Sequence, residues 1–167
     1  MGFVLTRTLT SRTGSPTSSC VNTPRARARL YFNYRPARVL LAADPEADTH
    51  RLFGLPAIVI VGDESATSWP QSTTMGQLLA VKTNPTGELP APLNPFEAME
   101  TLNKQDRFAP DETDQQIAAA HGTQMTGHFL IDRDGIVRWL QAEAAESPGD
   151  LLKFPSDEEI LRAARGL

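Results

Sequence analysis

Thr126-Gly-His-Phe-Leu-Ile-Asp-Arg-Asp-Gly-Ile-Val-Arg-Trp139 reads as strand, turn, strand. His128 to Ile131 is short, apolar and rich in residues that suit a pleated surface. Asp134-Gly135 predicts a tight turn, because glycine tolerates the positive φ that hairpin turns demand. Ile136 to Leu140 then returns as the partner strand. Two-residue alternation puts Thr126 and His128 on one face. Phe129 and Trp139 are expected to fill the core.

Working outward, Val39 to Ala43 is a continuous apolar run of strand length, as expected for a strand buried on both faces. Asp44-Pro45 predicts a capped helix through about Phe53, stopped by Gly54. Ala57 to Val61 predicts a second buried strand, and the order strand–helix–strand suggests a βαβ unit. The hairpin resembles the FLID-x-DG-x-V-R signature of the thioredoxin-like redoxins, the alkyl hydroperoxide reductase and thiol-specific antioxidant (peroxiredoxin-like) family. Val39-Leu-Leu-Ala-Ala-Asp-Pro-Glu46 resembles the same family. The resemblance implies an α/β thioredoxin-like sandwich, a central mixed sheet flanked by helices, with the hairpin opposite the catalytic cysteine. It covers residues 39–167, with an insertion at about 82–107 before the hairpin. Residues 1–38 match it poorly.

At 167 residues one domain is expected, long enough to bury a core. No apolar run reaches the length of a membrane span, so no membrane partner is expected. The net charge of −4 is unevenly spread. Met1 to Ala43 holds seven Arg and no Asp, Glu or Lys, while the remainder carries nine basic and twenty acidic residues. An Arg-rich, acid-free N-terminus is also the composition of an organelle transit peptide. A basic arm for nucleic acid is a lesser alternative, because Arg25, Arg27 and Arg29 spread around a helix and form no stripe. The single cysteine, Cys20, excludes an internal disulfide and a CxxC pair, and it suits a reducing, cytoplasmic setting.

Local signals place further helices. Thr23-Pro24 predicts a helix start, with Ala26 to Tyr34 continuing it and Pro36 ending it. Met75 to Lys82 predicts a short element. Asn94-Pro-Phe-Glu97 is a helix start with a cap, a proline at the first position and a box partner, and Asp111 caps another helix that ends before Gly122. Ser156-Asp-Glu-Glu159 is a capping box that opens a final helix to Arg165.

Cys20 is the candidate nucleophile. Thr17-Ser-Ser-Cys20 resembles the peroxiredoxin T-x-x-C motif. The resemblance implies a thiolate near a helix start, a Thr17 hydroxyl that orients a peroxide, a hydroperoxide substrate and an external thiol as reductant. His128 and Thr126 share the hairpin face that the resemblance points toward Cys20, where an imidazolium would favour thiolate. Gly127 or Thr126 stands where peroxiredoxins carry an arginine and thioredoxins a cis-proline. Pro24 moves the natural helix start to Thr23 and leaves Cys20 in the loop before it. His50 and His121 lie on helices without partners at ligand spacing, so no metal and no cofactor is expected. Two function classes follow. One is a thiol-dependent peroxidase, as a monomer or homodimer. The other is a catalytically silent redoxin-like binding or scaffold domain.

Overall fold

The hairpin forms at the predicted place. In a computed structural model, which describes residues 18–34, 36, 40–84 and 87–166, the chain is mixed α/β. Strands β6 (Gly127–Ile131) and β7 (Val137–Ala142) pair antiparallel, with Phe129 opposite Leu140 and His128 opposite Gln141. Gly135 sits at φ 81, where a side chain would be strained. Asp132 ties the turn. Its carboxylate accepts the N–H groups of Asp134 and Ile136, both at 2.9 Å, and pairs with Arg138 at 2.6 Å.

Before the hairpin come β1 (Ser18–Val21), α1 (Arg25–Tyr34), β2 (Leu40–Ala43) and α2 (Asp48–Leu52). They are followed by β3 (Ala57–Val61), β4 (Ser72–Thr74), α3 (Met75–Ala80), α4 (Pro95–Gln105), α5 (Glu112–His121) and β5 (Thr123–Gln124). The chain then closes on the hairpin and α6 (Asp157–Arg165). The predicted caps form. Asn94 accepts the N–H groups of Phe96 and Glu97, Asp111 boxes with Asp114, and Ser156 boxes with Glu159. Thr74 and Gln77 add a box at α3.

The strands assemble differently from the expectation. The parallel strand–helix–strand unit is β1–α1–β2, with Cys20 in register with Ala42. β3 does not join β2. It pairs parallel with β4 and antiparallel with β5. The described ladders therefore form three small sheets in place of one central sheet. Nor is β2 buried on both faces: every residue of it is exposed, Leu40 to 72%. In β3, Ile58 is buried while Val59 and Ile60 face outward.

Side-chain packing joins these ladders. Ile58 of β3 packs with Leu78, Val81, Met125, Ala144 and Leu151, and Trp69 covers the cluster while its indole N–H donates to the Ala144 carbonyl at 2.6 Å. Leu89, Ala98 and Leu102 form a second cluster, with Leu93 against it, inside the segment read as an insertion. The hairpin meets the end of α2 through one face only. Phe129 stacks on Phe53 with ring centroids 4.5 Å apart, and a Cβ at Gly127 would lie 2.6 Å from Leu55 and 2.7 Å from Phe129. Phe129 is half-buried in this contact, Trp139 is half-buried opposite Leu130, and neither fills the core. Gly127→Ala is expected to cost about 1–3 kcal/mol, since both neighbours must shift to admit one methyl group. A urea midpoint equal to that of wild type would contradict this contact.

Candidate functional site

Cys20 lies on β1, not in a loop before a helix. The first bond of α1 is accepted by the Pro24 carbonyl, which receives the Ala28 N–H at 3.0 Å. The intervening Val21 carbonyl accepts the N–H groups of Thr23 and Asp44, at 2.9 and 2.8 Å. That second bond ties the carboxyl ends of the parallel strands β1 and β2 together. The strand ends where α/β proteins commonly bind ligands thus carry the half-buried Cys20, opposite Ala42, and the half-buried Asp44 just past the end of β2.

The short helix α2 closes this corner. Asp44 does the capping that the sequence predicts, although the helix starts later, at Asp48. Its carboxylate accepts the N–H of Asp48 at 3.0 Å and that of Thr49 at 2.7 Å. Ala47, at φ 55, turns the chain between them. Thr49 in turn faces β1: the Cys20 thiol donates to Thr49 Oγ1 at 3.5 Å. Burial works to raise the Asp44 pKa, but the N–H of Thr49, its hydroxyl, the N–H of Asp48 and the charge of His50 together hold it below the usual carboxylate range. Asp44 is therefore ionised at neutral pH.

His50 follows Thr49 on α2 and is 5% exposed, with Nδ1 lacking a hydrogen-bond partner. Burial lowers its pKa, and Asp44 offsets part of that shift. His128 is lowered in the same way, mainly by burial, with Gln141 acting against it. Both imidazoles are therefore harder to protonate in the folded protein than in the unfolded chain. The unfolded chain takes up protons near the ordinary value of 6.5, whereas the folded chain resists until lower pH. Stability from this source is therefore full above about pH 6.5 and declines as pH falls below it. Urea midpoints at pH 7.5 and 5.5 check this, with His50→Gln and His128→Gln expected to flatten the acid-side decline.

Of the residues anticipated around Cys20, neither His128 nor Thr126 is hydrogen-bonded to it in the structure. Thr17 lies outside the described residues. His128 stands on the hairpin face opposite Phe129, against Phe154 with ring centroids 5.9 Å apart, and no hydrogen bond or ring contact links it to Cys20 among the described residues. Thr126 is buried and held by Glu143: its N–H donates to the Glu143 carboxylate at 3.0 Å, and its carbonyl accepts the Glu143 N–H at 2.7 Å. A hydroxyl does reach the sulfur: that of Thr49, 29 residues beyond Cys20 in the chain. Asp44 and Thr49 are the partners that sequence reasoning missed. The one local signal for them was the helix-capping pattern that begins at Asp44.

The arrangement sets a half-buried thiol beside a hydroxyl, with the Asp44 carboxylate bound to the backbone of the same threonine. Among the described residues, no group of three His, Cys, Asp or Glu converges as it would to hold a metal ion, and no helix is long and apolar enough to cross a membrane. No family model matches the chain, and neither a curated protein nor a solved structure matches it.

Proposed function

We propose that the protein is a thiol-dependent redoxin that reduces hydroperoxides through Cys20. The observation that carries this reading is the contact of Cys20 with the Thr49 hydroxyl at the carboxyl end of a parallel strand pair. The order β1–α1–β2–α2, later followed by the hairpin and α6, supports a thioredoxin-like arrangement, with β3 to β5 and α3 to α5 intervening. In the reaction the Cys20 thiolate attacks the terminal peroxide oxygen. An S–O bond forms, the O–O bond breaks, and the leaving alkoxide takes a proton to become an alcohol. An external thiol condenses with the sulfenic acid, releasing water and forming a mixed disulfide. A second external thiol then frees Cys20 and leaves as the external disulfide. Thr49 Oγ1 is placed to hydrogen-bond the peroxide beside the sulfur.

Stopped-flow consumption of hydrogen peroxide by the reduced protein tests this. The expected rate exceeds that of free cysteine at pH 7. Cys20→Ser should abolish it, and Thr49→Val should slow it about tenfold, the size of one hydrogen bond to a charged group. A rate no better than free cysteine, with Cys20→Ser indistinguishable from wild type, would leave the catalytically silent binding domain. One feature favours that second reading: Ile131, Val137 and Leu140 leave an apolar stripe exposed on the hairpin.

A further inference from the structure

We infer that the first turn of α1 is a binding site for the phosphate group of a small ligand, held by the backbone N–H groups of Arg25, Ala26 and Arg27, the guanidinium of Arg25 and the amide of Asn22. The inference makes no use of the Cys20 sulfur and stands apart from the thiol reading.

Unpaired donors carry the argument. Pro24 stands at the cap of α1: its carbonyl accepts the Ala28 N–H at 3.0 Å, and its ring offers no acceptor to the turn. The N–H groups of Arg25, Ala26 and Arg27 follow, and none has a protein partner among the described residues. A second observation lies outside the helix. Asn22 is only 6% exposed, yet its amide makes no hydrogen bond. An amide buried in that state costs about 1–3 kcal/mol, which a ligand oxygen would recover. Thr23 Oγ1, where the sequence predicts the helix start, is enclosed and also unpaired. The Thr23 N–H bonds the Val21 carbonyl at 2.9 Å and so holds Asn22 and Thr23 between the end of β1 and the helix. The charges agree with an anion. The first turn of α1 holds no acidic residue. Arg25 and Arg29, one turn apart on one face, are exposed and form no ion pair. A cation at a helix N-terminus is disfavoured by the helix dipole, and a bound anion reverses that term. Asp44 adjoins the site through the same Val21 carbonyl, but its carboxylate is engaged by the N–H groups of Asp48 and Thr49. Donors from backbone, amide and guanidinium suit the several oxygens of a phosphate better than the two of a carboxylate.

Titration of the full chain with inorganic phosphate at pH 7 and constant ionic strength, read by amide NMR, tests the site. The Arg25, Ala26 and Arg27 amide signals are expected to shift together and saturate. Arg25→Gln should weaken binding about threefold to tenfold, the worth of one net hydrogen bond. Asn22→Asp, which sets a carboxylate against the anion, should weaken it at least as much. Arg162→Gln, on the exposed face of α6, should leave binding unchanged. Shifts that do not saturate, or that centre on another element, overturn the inference. So does an affinity unaltered by Arg25→Gln. Acetate in place of phosphate should bind more weakly, and equal affinity overturns the assignment to phosphate. Should Asn22→Asp fail to fold, Arg25→Gln decides, since it changes an exposed side chain. None of these measurements involves peroxide or the thiol, so the site stands or falls independently of peroxidase activity.

Discussion

Replacing Arg27 by alanine is expected to lower stability by about 3–5 kcal/mol, the cost of leaving a buried charge without its partner. Arg27 reaches from α1 to the start of α5. Its guanidinium grips Asp114 through two nitrogens, pairs with Asp111 at 3.0 Å and donates to the Ala109 carbonyl at 3.2 Å. It also lies 4.9 Å over the ring of Phe108, which meets Tyr31 of α1 edge-on. Only 12% of the Arg27 side chain and 3% of the Asp114 side chain are exposed. The alanine variant would strand the Asp114 carboxylate in a dry site, with only its capping contact to the Asp111 N–H. Urea unfolding checks the magnitude. Arg162→Ala, which breaks a pair with Glu158 at the surface, is the control and should leave the midpoint nearly unchanged. Similar midpoints for Arg27→Ala and Arg162→Ala would show that the clasp between α1 and α5 is not formed in solution.

Glu143→Ala should cost about 2–4 kcal/mol, because it orphans two backbone donors at once. Glu143 is buried, and its carboxylate accepts the Thr126 N–H at 3.0 Å and the Leu152 N–H at 2.6 Å. It thereby fastens the base of the hairpin to the segment that leads into α6. Leu152 sits at φ 61, a backbone state that a leucine adopts only when its surroundings hold it there. Glu143→Gln keeps one acceptor oxygen and should lose about half as much. Amide exchange gives the local readout: Thr126 and Leu152 should lose protection together in the alanine variant. Protection unchanged at both would mean that the carboxylate is not their acceptor.

What the sequence determined by itself is local. Asn94, Asp111 and Ser156 could be read as caps because each bonds an N–H two or three residues ahead, so the pattern and the bond lie in the same few letters. The hairpin was legible for a similar reason: Asp134-Gly135 and the alternation of its flanks specify a turn and two strands whose partners are neighbours in the chain. The arrangement around Cys20 was decided by tertiary structure. Thr17-Ser-Ser-Cys20 carries weak strand propensity and precedes a proline, so local rules make it a loop. Ser18–Val21 becomes a strand because β2, some twenty residues on, offers it a parallel edge. The partnership of β2 with β1 in preference to β3, the exposure of Leu40 and the docking of Thr49 on Cys20 likewise depend on which distant surfaces meet. The pairing energy of a ladder is nearly the same for many apolar strands. Burial against specific neighbours chooses among them, and only the folded chain brings those neighbours together.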